Sequence, residues 1–165
     1  KIMNQPLPEP GRKLLPHLPS LELPNQAVIQ YVSCNVDRRR PLLANPEIHQ
    51  LLIEAWHKAD HWLMGRYVIM PDHLHFFCAP VQVPITPLRR WMEFWRAEAT
   101  RRWPRAGDKP VWQKDFFDRQ LRGGESYHQK WLYIVKNPVK AGLAARWEDW
   151  PYQGELNVLQ WHEPA

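Results

Sequence analysis

Apolar and polar residues alternate along the chain with two periods, near two and near 3.6, and the switches between them mark its elements. Residues 27–35, AVIQYVSCN, form a short apolar run rich in β-branched and aromatic residues, which predicts a first strand. Residues 46–60, PEIHQLLIEAWHKAD, place Ile48, Leu51, Leu52, Ala55 and Trp56 at helical spacing, with Pro46 suited to a first turn. Residues 62–70, WLMGRYVIM, and 73–79, HLHFFCA, read as two strands around a tight Pro-Asp turn. Residues 87–103 predict a second amphipathic helix with a strongly basic side, broken by RAGDKP. A fourth strand falls within 112–122, and 125–137, ESYHQKWLYIVKN, predict a third helix whose extension Pro138 limits.

The order is strand, helix, strand, strand, helix, strand, helix, and its first six members match the split βαβ plan. The expected fold is therefore α+β and ferredoxin-like: an antiparallel sheet of four to five strands with helices on its faces. Residues 1–24 are proline-rich and without amphipathic period, so they read as an arm. Residues 25–152 form the expected domain and 153–165 a C-terminal tail.

Composition narrows the function. The 165 residues carry a formal net charge of +5, which favours a polyanionic partner. Ten tryptophans among the cations suit a single strand, whose bases stack on rings while cations hold its phosphates. More than half of these rings are expected in the core, including Trp91 and Trp95 on one helical face. No apolar stretch is long enough to span a bilayer, and the first residues lack the apolar run of a secretory signal. The two cysteines, Cys34 and Cys78, sit in strand-like runs and read as buried free thiols, which fits the cytoplasm.

Two spacings carry chemistry. His73 and His75 flank Leu74 in a strand, so both imidazoles point to one face while Leu74, Phe76 and Cys78 point to the other. Tyr133 and Asn137 are four apart in the third helix and share a helical face. If that helix covers the histidine face, two imidazoles, an amide oxygen and a phenol converge. Three neutral ligands leave room for water and a phosphate oxygen, which suits Mg2+ or Mn2+, and manganese tolerates imidazole better. Zinc is less suited, because no Cys or carboxylate ligand stands nearby. Tyr31 and Tyr67 fall in strands and read as packing residues.

PDHLHFFC resembles the His-hydrophobic-His motif of the HUH single-tyrosine transposases. YIVKNPVKAGL resembles the nucleophile helix of the REP-associated tyrosine transposases, and RRRPLL and VWQKDFFDRQLR are similar to segments of the same group in the same order. The resemblance spans roughly residues 25–152. It implies His73 and His75 as metal ligands, Asn137 as the third protein ligand and Tyr133 as the nucleophile. It also implies a 5′-phosphotyrosine intermediate and a single-stranded DNA substrate bearing a short imperfect hairpin. Arg38, Arg39, Arg40, Arg119, Arg122, Lys136 and Lys140 are candidate phosphate contacts, with Arg89, Arg90, Arg101 and Arg102 as an extension of that patch. The group implies a monomer; more distant relatives leave a dimer with shared sites as the alternative. The rival readings are a hairpin-binding regulator without catalysis, a hydrolytic metalloenzyme built on the two histidines, and a basic RNA-binding domain.

Overall fold

The computed structural model describes residues 28–81, 84–122 and 126–159. The proline-rich arm, Glu125 and residues 160–165 lie outside them. The described elements are β1 (Gln30–Asn35), α1 (Pro46–Lys58), β2 (Trp62–Ile69), β3 (His73–Pro80), α2 (Leu88–Arg101), β4 (Phe117–Gln120), α3 (Tyr127–Val135), α4 (Asn137–Lys140) and β5 (Gln153–Glu155). Five antiparallel strands form one sheet in the order β4-β1-β3-β2-β5. The first four follow the ferredoxin-like order, and the histidine-bearing β3 lies at the centre, hydrogen-bonded on both sides.

Period-two alternation sorts the side chains of β1 and β3 between two apolar layers. Val32, Cys34, Leu74, Phe76 and Cys78 face α1 and α2, where they meet Trp56, Trp91 and Trp95. Tyr31 and Phe77 face the opposite way, with Val68 of β2, towards Tyr127, Trp131, Ile134 and Val135 of α3 and towards Trp150. Both cysteines are buried and free. In β2 a bulge between Met64 and Tyr67 lets these two residues, three apart, face the same layer.

Local signals explain the helix ends. Asn45 accepts from the Ile48 N–H at 2.9 Å and Pro46 opens the first turn of α1. Ser126 caps α3 by accepting from the Gln129 N–H. Arg66 then anchors α3 to β2. Its guanidinium lies 5.3 Å from the Tyr127 ring centroid and 5.9 Å from that of Trp131, and its backbone N–H donates to the Tyr127 hydroxyl.

Two expectations are corrected. The third helix is not continuous through Asn137: α3 ends at Val135, and α4 begins at Asn137 after a junction at Lys136. Pro138 has no N–H to return to Ile134, so the helical ladder is interrupted there. Residues 153–155, assigned from sequence to the tail, form β5 on the edge of β2, and Leu159 beyond it is buried. The sequence QGE carries no strand signal, since none of its residues is β-branched or aromatic; its pairing with β2, Gly154 opposite Tyr67, makes it a strand. No described helix is long and apolar enough to cross a membrane.

A Cβ on Gly154 would lie 2.8 Å from the Tyr67 hydroxyl and 3.1 Å from its ring. Tyr67 is itself fixed by a 2.8 Å hydrogen bond to His49 and by packing 5.0 Å from the Trp56 ring. Gly154→Ala is therefore expected to lower unfolding free energy by about 1–3 kcal/mol, the usual overpacking cost, in urea denaturation. An unchanged midpoint would show that β5 does not depend on this contact.

Candidate functional site

His73 and His75 both face the α3 side of the sheet, their rings 4.7 Å apart between centroids and nearly perpendicular at 86°. The cross-strand neighbours of this stretch are polar. Asn35 stands opposite His73 and Ser33 opposite His75, whereas Tyr31 stands opposite Phe77. The polar rows thus cluster at the end of β3 that adjoins the Pro71-Asp72 turn.

That turn holds His73. The Asp72 carboxylate lies 2.7 Å from His73 Nδ1 and 2.9 Å from Arg39 Nε. The hydrogen bond from His73, and then that from Arg39, keep the Asp72 carboxyl well below the usual carboxylate range. An ionised carboxylate only accepts, so His73 donates through Nδ1. Arg39 reaches this position from a backbone turn in which Arg38 and Arg39 both adopt positive φ, 58° and 54°. Such conformations are strained for residues other than glycine, by on the order of 1 kcal/mol each.

His75 is buried, and burial, followed by the charges of His73 and Arg39, lowers its basicity well below that of a free imidazole. Its Nδ1 lies 2.6 Å from the Tyr31 hydroxyl, and the two rings stack at 5.9 Å and 18°. Its Nε2 is buried without a hydrogen-bond partner, as is Asn35 Oδ1. The Asn35 amide nitrogen is already engaged with Gln113 Oε1 at 3.1 Å. Lone pairs on imidazole and amide groups of this kind fit a divalent cation that accepts mixed nitrogen and oxygen donors. Among the described residues, no group of three or more His, Cys, Asp or Glu forms an independent cation cluster.

Tyr133 projects from α3 with 45% of its surface exposed. Lys140 of α4 sits over the Tyr133 ring, 3.9 Å from the centroid. Asn137 opens α4, partly buried, one turn beyond Tyr133.

The basic candidates separate. Arg38 extends into solvent with its side chain 87% exposed. Arg39 is paired with Asp72, and Arg40 donates to the carbonyls of Asp37 and Pro110. Arg119 lies opposite Tyr31 on β4, and Arg122 follows the end of that strand. Lys136 and Lys140 are exposed around the α3–α4 junction. Helix α2 packs on the other side of the sheet, which separates Arg89, Arg90, Arg101 and Arg102 from the histidine face. Three of these four are also held by carboxylates: Arg89 by Asp115, Arg101 by Glu98 and Arg102 by Glu54.

No protein-family model matches the chain. It is 26% identical over 125 residues to the REP-associated tyrosine transposase of Escherichia coli strain K12, covering 74% of this chain and 73% of that protein. The chain is similar in sequence to the REP-associated tyrosine transposases. A solved REP-associated tyrosine transposase, bound to a REP hairpin, shares its fold with a TM-score of 0.64 at 24% identity, over 83% of this chain and 82% of that one.

Three residues around the histidines escape the sequence reading: Tyr31, Asp72 and Asn35. The signals exist. Asp72 directly precedes His73, and Tyr31, Ser33 and Asn35 alternate along β1. Their meaning depends on the β1–β3 register, which a single sequence does not supply.

The unequal roles of the three arginines predict unequal stability effects. Arg40→Ala removes charge-assisted bonds to two carbonyls and should cost about 1–3 kcal/mol. Arg38→Ala should stay within about 0.5 kcal/mol of the wild type. Chemical denaturation of both variants checks this, and equal losses would contradict the assignment.

Proposed function

We propose that the protein is a single-stranded DNA endonuclease and strand transferase acting at REP-type hairpins, with Tyr133 as its nucleophile. The observation that carries this reading is the position of an exposed tyrosine on the helix that covers the paired-histidine face. On the same face the buried Tyr31 hydroxyl contacts His75. Kinship with a tyrosine transposase supports the reaction class, and the hairpin bound by a structural relative supports the substrate class.

In the proposed step the Tyr133 phenolic oxygen attacks the scissile phosphorus. The bond from phosphorus to the 3′ oxygen breaks as the bond to tyrosine forms. The phenolic proton passes to solvent, and the departing 3′ oxygen becomes a free hydroxyl by taking up a proton. The phosphodiester energy is conserved in the 5′-phosphotyrosine, so a 3′-hydroxyl can reverse the step and rejoin strands. His73, His75 and Asn137 would hold Mg2+ or Mn2+, which when bound offsets negative charge on the phosphate. Lys140 beside the Tyr133 ring, with Lys136, Arg38, Arg119 and Arg122, provides cations for the flanking phosphates.

Labelled single-stranded DNA carrying a REP hairpin, incubated with protein and Mn2+, tests the proposal. The wild type should form a covalent adduct that maps to Tyr133. Tyr133→Phe should form none while retaining hairpin binding and a stability within about 0.5 kcal/mol of wild type, as expected for an exposed position. Hairpin binding by the wild type with no adduct would instead identify a catalytically inactive regulator. Cleavage that survives in Tyr133→Phe would identify a hydrolase.

A further inference from the structure

Arg39 turns its guanidinium towards the histidine pair. Its Nε lies 2.9 Å from Asp72 Oδ2, and its Nη2 lies 3.4 Å from His73 Nδ1. The other carboxylate oxygen, Asp72 Oδ1, lies 2.7 Å from His73 Nδ1. Asp72 thus stands between a guanidinium and an imidazole and offers one oxygen to each. Arginine nitrogens only donate and a carboxylate only accepts, so Arg39 and His73 both donate into Asp72. The backbone of the turn does not depend on Arg39. Val36 N–H donates to the Asp72 carbonyl and Leu43 N–H to the Pro71 carbonyl, both at 2.9 Å, and Met70 N–H donates to the His73 carbonyl at 2.8 Å. These bonds leave open the rotation of the Asp72 carboxylate, whose side chain is 27% exposed. Arg39 closes that freedom. It does so from φ 54°, beside Arg38 at φ 58°, a conformation rare for residues other than glycine. Strain of this kind persists where the surroundings fix a side chain in one place.

We propose that Arg39 is a positioning residue for the cation site: it fixes the Asp72 carboxylate, which fixes the His73 ring through Nδ1–H and leaves Nε2 as the ring nitrogen for a divalent cation. The proposal rests on the reading of His73 and His75 as a cation-binding pair. It gives Arg39 a role apart from that of Arg38, whose side chain is 87% exposed. Partners that orient a histidine ligand typically account for about 10- to 100-fold in metal affinity. Charge alone gives the opposite expectation for Arg39. A guanidinium beside a cation site repels the cation, so its removal should tighten binding. A carboxylate no longer held should loosen it. The sign of the change separates the two effects.

The test is calorimetric titration of Mn2+ on Arg39→Gly, Asp72→Ala and the double variant, with NMR of the histidine ring protons in cation-free protein. Glycine adopts φ 54° without strain, so Arg39→Gly removes the side chain and spares the turn. Arg39→Asn, which also tolerates that conformation, takes its place if the glycine variant fails to fold. Each single variant should weaken Mn2+ binding about 10-fold or more. The double variant should bind no more weakly than Asp72→Ala, because Arg39 acts through Asp72. In cation-free wild type the His73 Nδ1 proton should exchange slowly with solvent, and Arg39→Gly should speed that exchange. Mn2+ binding by Arg39→Gly that equals or exceeds the wild type overturns the proposal. So does a double variant whose loss is the product of the two single losses. If the wild type takes up no Mn2+, the cation reading fails. The positioning assignment then stands if Arg39→Gly speeds exchange of the His73 Nδ1 proton, and falls if it does not.

Discussion

The architecture of the site depends on one constraint: successive residues of a strand face opposite sides of the sheet. Because β3 is central and both its faces are covered, that alternation separates two environments within eight residues. Leu74, Phe76 and Cys78 enter the tryptophan-rich layer beneath α1 and α2. His73, His75 and Phe77 enter the layer beneath α3. A shift of one residue in the β1–β3 pairing would bury both imidazoles among Trp56, Trp91 and Trp95, so the large apolar layer also enforces the register.

The α3 side is graded along the strands. The Tyr31–Phe77 row is aromatic, and Tyr127 contacts Phe77 there at 4.9 Å between centroids. The Ser33–His75 and Asn35–His73 rows are polar. Helix α3 is fastened over the aromatic end by Tyr127, Trp131 and Arg66, and its later turn carries Tyr133 free of the core. Apolar burial therefore supplies the holding force while the Tyr133 phenol stays accessible. A side chain one position later, that of Ile134, is buried.

Sequence periodicity carries most of this fold. The amphipathic spacing of α1 and α2 and the strand–turn–strand reading of 62–79 agree with the structure to within a few residues. His73 and His75 could be assigned to one face from two-residue spacing alone. What escapes is whatever depends on long-range pairing. The edge strand β5 is short and contains Gly154, so its identity comes from Tyr67 across the sheet. Tyr31 looks like any strand tyrosine until β1 is aligned with β3. The three consecutive arginines look equivalent until two positive-φ residues turn Arg39 towards Asp72 and Arg40 towards backbone carbonyls.

Two buried acceptor-capable atoms, His75 Nε2 and Asn35 Oδ1, have no hydrogen-bond partner. Each such atom costs about 1–3 kcal/mol when buried unsatisfied. Together with two left-handed arginines, they consume an appreciable share of the 5–15 kcal/mol typical of a domain. The indole Nε1 atoms of Trp56 and Trp112, on the opposite side of the sheet, are also buried without a hydrogen-bond partner, so the cost is not confined to the histidine end. A core shaped for stability alone would place apolar residues in those two rows, as it does in the Tyr31–Phe77 row beside them. A divalent cation would satisfy the imidazole lone pair that the protein leaves open, converting a stability cost of the free protein into binding energy.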